Sequence, residues 1–358
     1  AERVLLANGA MERPLPFPGW TLPGVMNAGA GQILLKADGL VPEDGVVIAG
    51  CGPLLWLLAW QYLRCGVQVQ AILDMAPPST RLRALPRLPR ALLTHHYIAK
   101  GLGYERDLKR AGVPILRRVH GLRALGGERL EAVGFRRGRQ QRQLDCRLLL
   151  VHFGLVPNTH LSRAAGCTHG WDRAQQCWRP RSDQWGRSSV EGLLLAGDGA
   201  GIFGARSAEH AGRLAACEAL HSLGLIDHAE RDRLAAADRR WLRADRHVRP
   251  FLESLFRLPE RLLQVADDDT IVCRCEEVSA GQIRAAAADG HLDSNQVKFL
   301  TRCGMGPCQG RQCADAVAQV LAAELGLPVS EAGHYRVRPP AKPLSLGQLA
   351  ALYPGETE

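Results

Sequence analysis

A short run near the C-terminal end of the chain crowds cysteine and glycine together. The stretch TRCGMGPCQGRQC, residues 301–313, holds three cysteines and three glycines. Two more cysteines, Cys273 and Cys275, lie upstream in IVCRCEEV. Because they are two positions apart, an extended segment points both side chains to the same face. The chain can gather these thiols only by folding back on itself between the two groups.

The spacing of the later cysteines also restricts the local fold. Cys308 and Cys313 are five positions apart, so on one helix their directions would differ by about 140°. Both can face one centre only if Cys308 lies in the glycine loop and Cys313 in the first turn of the helix predicted from RQCADAVAQVLAAELG. The glycines then allow unusual backbone angles and leave N–H groups free to point at sulfur.

The sequence between the two cysteine groups predicts two short helices. SAGQIRAAAADG begins with a capping box at Ser279 and Gln282 and stops at Gly290, and NQVKFLTR follows it. Folding back, these helices would bring the thiols together. Four thiolates suit either a [2Fe–2S] cluster or structural zinc, and spacing alone does not separate the two.

Composition limits the class of protein. The 358 residues carry a formal net charge of +9, but only five of the 45 basic residues are lysine and the arginines are dispersed. This distribution does not favour nucleic-acid binding.

Eleven cysteines without a signal peptide indicate reduced thiols, and no apolar run is long enough to span a bilayer. The chain begins with alanine in what reads as the middle of a domain, so we expect missing N-terminal sequence.

A nucleotide-binding pattern occurs in GVVIAGCGPLLWLLAW. It predicts a strand, a turn with Gly50 and Gly52, and a helix, while Asp74 ends the next strand, where an acid can accept ribose hydroxyls. Leu55 replaces the third glycine of the fingerprint, so occupancy by a nucleotide stays open. With no arginine adjacent in sequence, Asp74 favours NAD or another adenine nucleotide with a free 2′-hydroxyl over NADP.

The complete glycine fingerprint of the sequence lies elsewhere and lacks the expected context. Gly199, Gly201 and Gly204 match the spacing. We expect no second strand after the following helix and no acidic residue at a strand end, so this match does not predict a dinucleotide site.

The cysteine region closely resembles the bacterioferritin-associated-ferredoxin-like (BFD-like) [2Fe–2S] domain over nearly all of residues 271–325. The resemblance implies a [2Fe–2S] cluster held by Cys273, Cys275, Cys308 and Cys313. It leaves Cys303 as a spare cysteine near the cluster. The alternative is that Cys303 is a free thiol with a packing role only.

The rest of the chain resembles the two-domain flavoprotein oxidoreductases. LLLAGDGAG resembles their second FAD motif, which implies that Asp198, beside Gly197, hydrogen-bonds the flavin ribityl chain; helix capping is the alternative role. LLANGAMERPLPFPGW, which contains Gly9, and HFGLVPNTHL resemble the two segments that leave the family's nucleotide domains. Asn8 stands where the family usually has threonine.

These resemblances imply an α/β fold with two Rossmann-like dinucleotide-binding domains, the FAD one incomplete, and a small, mainly helical BFD-like [2Fe–2S] domain. The expected division is a partial FAD-binding domain over 1–39 and 156–262, an NAD(P)-binding-like domain over 40–155, the cluster domain over 265–327 and a Pro-rich tail over 328–358. The N-terminal half of the FAD domain, with its glycine fingerprint, is missing, so the FAD site is incomplete in this chain.

Together the parts look like one branch of that superfamily, the electron-transfer subunits of heteromeric opine oxidases, hydrogen cyanide synthase, and proline or hydroxyproline dehydrogenases. The resemblance implies that the chain has a flavin-containing catalytic subunit for a partner, that a small ferredoxin-like subunit is a further partner, and that this chain supplies no general acid or base. Cytoplasmic localisation is expected, peripheral attachment to the inner membrane being an open variant. The alternatives are a self-contained NAD(P)H-dependent reductase of the ferredoxin or nitrite type and a non-enzymatic, truncated cluster-binding module.

Overall fold

A computed structural model describes residues 1–352 apart from residues 44, 266, 291 and 292. The strands are β1 Val4–Leu6, β2 Ala10–Glu12, β3 Val25–Asn27, β4 Val46–Gly50, β5 Val69–Asp74, β6 Ile115–Arg117, β7 Val119–Leu125, β8 Ala132–Arg137, β9 Gln140–Asp145, β10 Leu149–His152, β11 Leu155–Pro157, β12 His169–Asp172, β13 Cys177–Pro180, β14 Leu193–Leu195, β15 Ile271–Cys273 and β16 Val278–Ser279. The α-helices are α1 Ala28–Asp38, α2 Pro53–Arg64, α3 Pro78–Ala84, α4 Leu88–Ala91, α5 His96–Arg110, α6 His160–Ala164, α7 Ala205–Ser222, α8 His228–Asp245, α9 Arg249–Leu255, α10 Glu260–Leu263, α11 Ala280–Ala288, α12 Ser294–Thr301, α13 Ala314–Leu325 and α14 Leu346–Ala350. Short 3-10 turns occupy Leu85–Arg87, Leu92–Thr94 and Gly197–Gly199.

The largest sheet is parallel and buried. Its strand order is β3-β10-β4-β5-β6. Every residue of β4 is buried, as expected for a parallel strand covered on both faces. One apolar core packs α2 and α5 against one face, and a second core covers the other face. The predicted strand, glycine turn, helix and strand from β4 to β5 are confirmed.

A three-stranded antiparallel sheet, β7-β8-β9, covers the second face of the parallel sheet. Val119, Val133 and Phe135 from this sheet share the core with β4 and β10. The hairpin formed by β8 and β9 comes from GFRRGRQQRQ, and β9 is almost wholly exposed. The arginines of this hairpin are exposed to solvent.

Residues 1–39 and 156–262, predicted as a partial FAD-binding domain and called the flavoprotein half below, contain a small parallel pair of strands. β1 pairs with β14, and a glycine-rich turn leads from β14 into α7. α8 follows α7 and packs against it. No strand comes between them in the described residues. The match at Gly199, Gly201 and Gly204 therefore lacks the context of a dinucleotide fingerprint, as predicted.

The C-terminal unit is mainly helical and has its own core. α11, α12 and α13 pack together beside the hairpin of β15 and β16. The capping box of Ser279 and Gln282 is present, and Cys313 is the N-cap of α13, one residue ahead of the first turn. Ala332 and Tyr335 are buried in the same core although they lie beyond residue 327. The domain division at that position stays a prediction.

The helices differ from membrane spans in length and polarity. Among the described residues, no helix combines sufficient length with sufficient apolar character to cross a bilayer.

Candidate metal centre and nucleotide sites

Three buried cysteines converge in the C-terminal unit. Cys273 ends β15, Cys303 follows α12 and Cys313 caps α13, and their Sγ atoms all lie within 4.8 Å of one another. Each is at most 1% exposed. Cys303, which the resemblance leaves as a spare thiol, therefore lies inside the sulfur group rather than apart from it.

Hydrogen bonds within this trio favour a thiolate at one position. Bonds from Cys303 and from Cys313 lower the pKa of Cys273 to about 2, and the Gly304 N–H, 3.5 Å from its Sγ, acts in the same direction. The same contacts with Cys273 raise the pKa of Cys313, and raise that of Cys303 to about 12. The trio therefore holds one negative charge readily, and more only with a bound cation.

The other two cysteines form a second, more accessible pair. Cys275 is exposed and Cys308 is partly exposed. Burial raises the pKa of Cys275, while the Cys308 backbone N–H lowers it and the Cys308 thiol raises it. A Cβ on Gly306 would lie 2.4 Å from the Cys275 Cβ. The glycine is thus required for Cys275 to reach Cys308.

Two glycines of the loop make room for an aromatic ring. A Cβ on Gly304 would lie 2.4 Å from Cε2 of Tyr335, and one on Gly310 would lie 2.6 Å from its Cδ2. The Tyr335 hydroxyl is 4.0 Å from the Cys313 Sγ. Tyr335 closes the buried side of the sulfur group. The sequence analysis missed it because no local pattern marks a lone tyrosine within the predicted Pro-rich tail.

The donor set fits a sulfur-ligated metal centre. In the described residues, the buried sulfur group consists of Cys273, Cys303 and Cys313, while the predicted ligands Cys275 and Cys308 contact each other beside it. Thiolates are the ligands of iron–sulfur clusters and of structural zinc. Which four sulfurs bind stays a prediction.

The glycine turn after β4 is occupied by a side chain of the protein itself. A Cβ on Gly50 would meet the His152 carbonyl oxygen at 1.9 Å, and one on Gly52 would meet the His152 ring at 2.7 Å. His152 Nδ1 lies 2.5 Å from Glu12 Oε1, and both side chains are buried. These glycines therefore accommodate His152, a histidine in an otherwise apolar strand that the sequence analysis did not single out.

A cavity of about 790 Å³ opens beside this turn. Gly52 and Asp74 line it together with Arg81. The helices α2, α5 and α9 contribute the aromatic side chains of Trp56, Tyr97, Tyr104 and Phe251 to its wall. Burial raises the pKa of Asp74, and the charges of Arg117 and Arg81 oppose that effect. Because folding brings these arginines near Asp74, the sequence argument for NAD over NADP loses its basis.

The predicted FAD residues meet in the other half. A Cβ on Gly199 would lie 3.1 Å from the Asn8 side chain and 3.3 Å from the Gly9 carbonyl oxygen, so the turn that contains Gly197 and Asp198 abuts the turn after β1. Asp198 Oδ1 accepts the backbone N–H groups of residues 203 and 204 at 2.8 Å. Its Oδ2 makes no hydrogen bond within the described residues. The assignment of Gly9, Gly197 and Asp198 to a flavin site stays a prediction.

The C-terminal unit docks on the flavoprotein half through specific contacts. Trp20 Nε1 donates to the Ile271 carbonyl oxygen at 2.6 Å, and the Arg274 guanidinium lies 5.9 Å from the Trp20 ring. Burial raises the pKa of Asp315 at the start of α13, while Arg13 and Arg163 of the flavoprotein half lower it. The buried cysteines are thus held beside the flavoprotein half.

Two family models match the chain. Residues 1–216 match the pyridine nucleotide-disulphide oxidoreductase model, and residues 268–352 match the sarcosine oxidase A3 domain. An opine oxidase subunit of Agrobacterium tumefaciens is 42% identical over 98% of this chain and 69% of its own length. Hydrogen cyanide synthase subunit HcnB of Pseudomonas aeruginosa is 33% identical over 95% of this chain and 74% of its own length.

A solved structure shares the fold. The L-proline dehydrogenase of P. horikoshii superposes with a TM-score of 0.67 at 20% identity, over 98% of this chain and 58% of the other. The chain thus spans between about three fifths and three quarters of the length of these relatives. The predicted resemblances are confirmed, as is the assignment to the oxidoreductases, and the family supports a flavin cofactor. The chain belongs to the pyridine nucleotide-disulphide oxidoreductase family.

Proposed function

We propose that this chain is the electron-transfer subunit of a heteromeric, FAD-dependent amino-acid or opine dehydrogenase. In this proposal electrons pass from the flavin of a catalytic partner subunit, through FAD, to a [2Fe–2S] cluster in this chain. The observation that carries it is the convergence of Cys273, Cys303 and Cys313 beside the pair Cys275 and Cys308, in a unit docked on a flavoprotein body. Similarity to one subunit of an opine oxidase and one subunit of a hydrogen cyanide synthase supports a catalytic partner subunit.

A cluster held by these thiols would accept and release one electron at a time. The residues of the chain fix its surroundings. Gly304 directs an N–H at the Cys273 sulfur, Tyr335 excludes water from the buried side, and Cys275 leaves the opposite side accessible. Such a site is closed towards the protein core and open towards an electron acceptor, for which a small ferredoxin-like subunit is the proposed class.

The proposal assigns no proton-transfer chemistry to this chain. Asp198 and Gly9 would contact the flavin at the incomplete FAD site, and the remainder of the site would come from sequence outside the described part. Gly52 and Asp74 would hold an adenine nucleotide in the cavity beside β4.

A second candidate, a self-contained NAD(P)H-dependent reductase, is favoured by that cavity alone. Anaerobic stopped-flow absorption separates the two functions. The proposal predicts bleaching of flavin and cluster when the co-expressed catalytic partner and its substrate are present, and no bleaching by NADH or NADPH with this chain alone. Rapid bleaching by either nucleotide without a partner would support the reductase and contradict the proposal.

A further inference from the structure

Cys303 is a fifth cysteine within the sulfur group of the C-terminal unit. It is fully buried, and its Sγ lies within 4.8 Å of the Sγ atoms of the predicted ligands Cys273 and Cys313. Four thiolates complete the ligand set of a [2Fe–2S] cluster, so Cys303 is left without a place as a ligand. Its thiol therefore stays available to interact with the sulfur atoms that do bind.

The local fold, rather than a metal, fixes the position of Cys303. α12 ends at Thr301, and the next residue, Arg302, has a left-handed φ of +61° that ends the helix. The Thr301 hydroxyl accepts the Cys303 N–H at 3.2 Å and donates to the Val297 carbonyl oxygen at 2.7 Å. Cys303 is thus anchored to residues that do not bind metal.

Tyr335 reaches the same sulfur atoms from the segment that follows α13. Its side chain is 2% exposed, and its hydroxyl lies 4.0 Å from the Cys313 Sγ. The hydroxyl also forms a hydrogen bond with the Cys303 thiol. A buried hydroxyl needs hydrogen-bond partners, and the partners of this one are sulfur atoms. Tyr335 is therefore joined to the sulfur group by its hydroxyl as well as by its ring.

These contacts have a defined direction once the ligands are thiolates. A cysteine that binds iron has lost its proton, so Cys273 and Cys313 become acceptors. Cys303 and Tyr335 bind no metal, and burial disfavours their charged forms, so each keeps its proton. Cys303 then donates its S–H to Cys273. Tyr335 donates its O–H to Cys313. With the Gly304 N–H, which points at Cys273, three donors face the ligand sulfurs from the buried side.

We propose that Cys303 and Tyr335 donate hydrogen bonds to the ligand sulfurs and thereby raise the reduction potential of the cluster. Reduction adds one negative charge to the centre, and donors aimed at sulfur stabilise that charge. The low dielectric constant of a buried site strengthens the effect. One electron is gained, no bond forms or breaks at either residue, and both protons stay in place. The inference rests on the proposed cluster and adds a role for the cysteine outside the predicted ligand set.

The test is a redox titration of the full chain, followed by the EPR signal of the reduced cluster. Cys303→Ala and Tyr335→Phe should each lower the equilibrium constant for cluster reduction by about three- to tenfold. A tenfold change corresponds to about 59 mV for a one-electron couple. Cys303→Ser supplies a hydroxyl donor and should return the potential to that of the parent or above it. Serine and alanine both leave the volume of the sulfur unfilled, so a packing role alone would affect these two variants equally.

Matched controls remove the same groups from other buried positions. Tyr62→Phe removes the hydroxyl of a tyrosine that is also 2% exposed, and Cys146→Ala removes a thiol from the core of the large sheet. Both variants should keep the potential of the parent.

Iron and acid-labile sulfide, measured on the parent and on each variant, separate the two hypotheses. A parent without a cluster would contradict the proposed function. A parent with a cluster whose potential is unchanged by Cys303→Ala and Tyr335→Phe, or is changed equally by the alanine and serine variants of Cys303, would overturn this inference alone. Loss of iron in both Cys303 variants would make this cysteine a ligand and would also overturn the inference.

Discussion

Replacement of Gly304 by alanine tests how the thiol loop is held against Tyr335. Gly304 has a φ of +87°, where a side chain costs about 1–2 kcal/mol. The new Cβ would also lie 2.4 Å from the Tyr335 ring, which is only 2% exposed and has little room to move. This overpacking adds about 1–3 kcal/mol. We therefore expect Gly304→Ala to destabilise the C-terminal unit by about 2–5 kcal/mol.

The end of α13 offers a matched control for the backbone cost alone. Gly326 ends this helix with a φ of +63°, and no atom lies within 4 Å of a Cβ placed there. Gly326→Ala should cost only about 1–2 kcal/mol. The difference between the two variants, about 1–3 kcal/mol, isolates the contact with the ring.

Hydrogen exchange of the α13 amides, measured by mass spectrometry on the full chain, reports local opening. Gly304→Ala should speed this exchange about five- to 150-fold more than Gly326→Ala does, since about 1.4 kcal/mol corresponds to a factor of ten. Tyr335→Ala alone should lower the free energy of unfolding by about 3–5 kcal/mol. The double variant with Gly304→Ala should lose less stability than the sum of the two single variants. Equal exchange in the two glycine variants, or additive costs in the double variant, would refute the packing account.

Three further predictions concern the cysteine ligands, the docking contact of Trp20 and the buried Asp74. Cys313→Ser should reduce the iron bound per chain while Cys303→Ser retains it, as measured by metal analysis; equal loss in both would contradict the predicted ligand set. Trp20→Phe, which removes the donor to the Ile271 carbonyl oxygen, should lower the free energy of unfolding by about 1–2 kcal/mol and speed exchange in β15, whereas unchanged exchange would contradict this docking contact. Because burial raises the pKa of Asp74, folding favours its neutral form, so the charged form costs stability as the pH rises above about 4. Asp74→Asn should therefore raise the melting temperature at pH 7 but not at pH 3, and equal melting temperatures at pH 7 would contradict the burial argument.

The parts that could be predicted from the sequence are those set by neighbours along the chain. β4, the Gly52 turn and α2 are contiguous, and their apolar runs and glycine turn specify strand and helix directly. The capping box at Ser279 and the position of Cys313 just ahead of a helix also depend on local hydrogen bonding. These features are present in the structure.

The parts that could not be predicted depend on contacts between distant segments. The ring of His152 fills the space beside Gly52, about 100 positions earlier in the sequence. Arg117 reaches the surroundings of Asp74 only through the pairing of β5 with β6. The contact of Tyr335 with the glycine loop likewise has no sequence period. In each case a local sequence pattern marks the glycine or the acid. No local pattern marks the distant side chain that contacts it in the fold.

The central claim is that the cysteines of the C-terminal unit hold a [2Fe–2S] cluster. Iron and acid-labile sulfide, measured on anaerobically purified protein together with EPR spectra before and after dithionite, test it most directly. The account predicts about two irons and two sulfides per chain and a rhombic signal that appears only on reduction. A colourless protein that contains zinc, or one with neither iron nor labile sulfide, would contradict it.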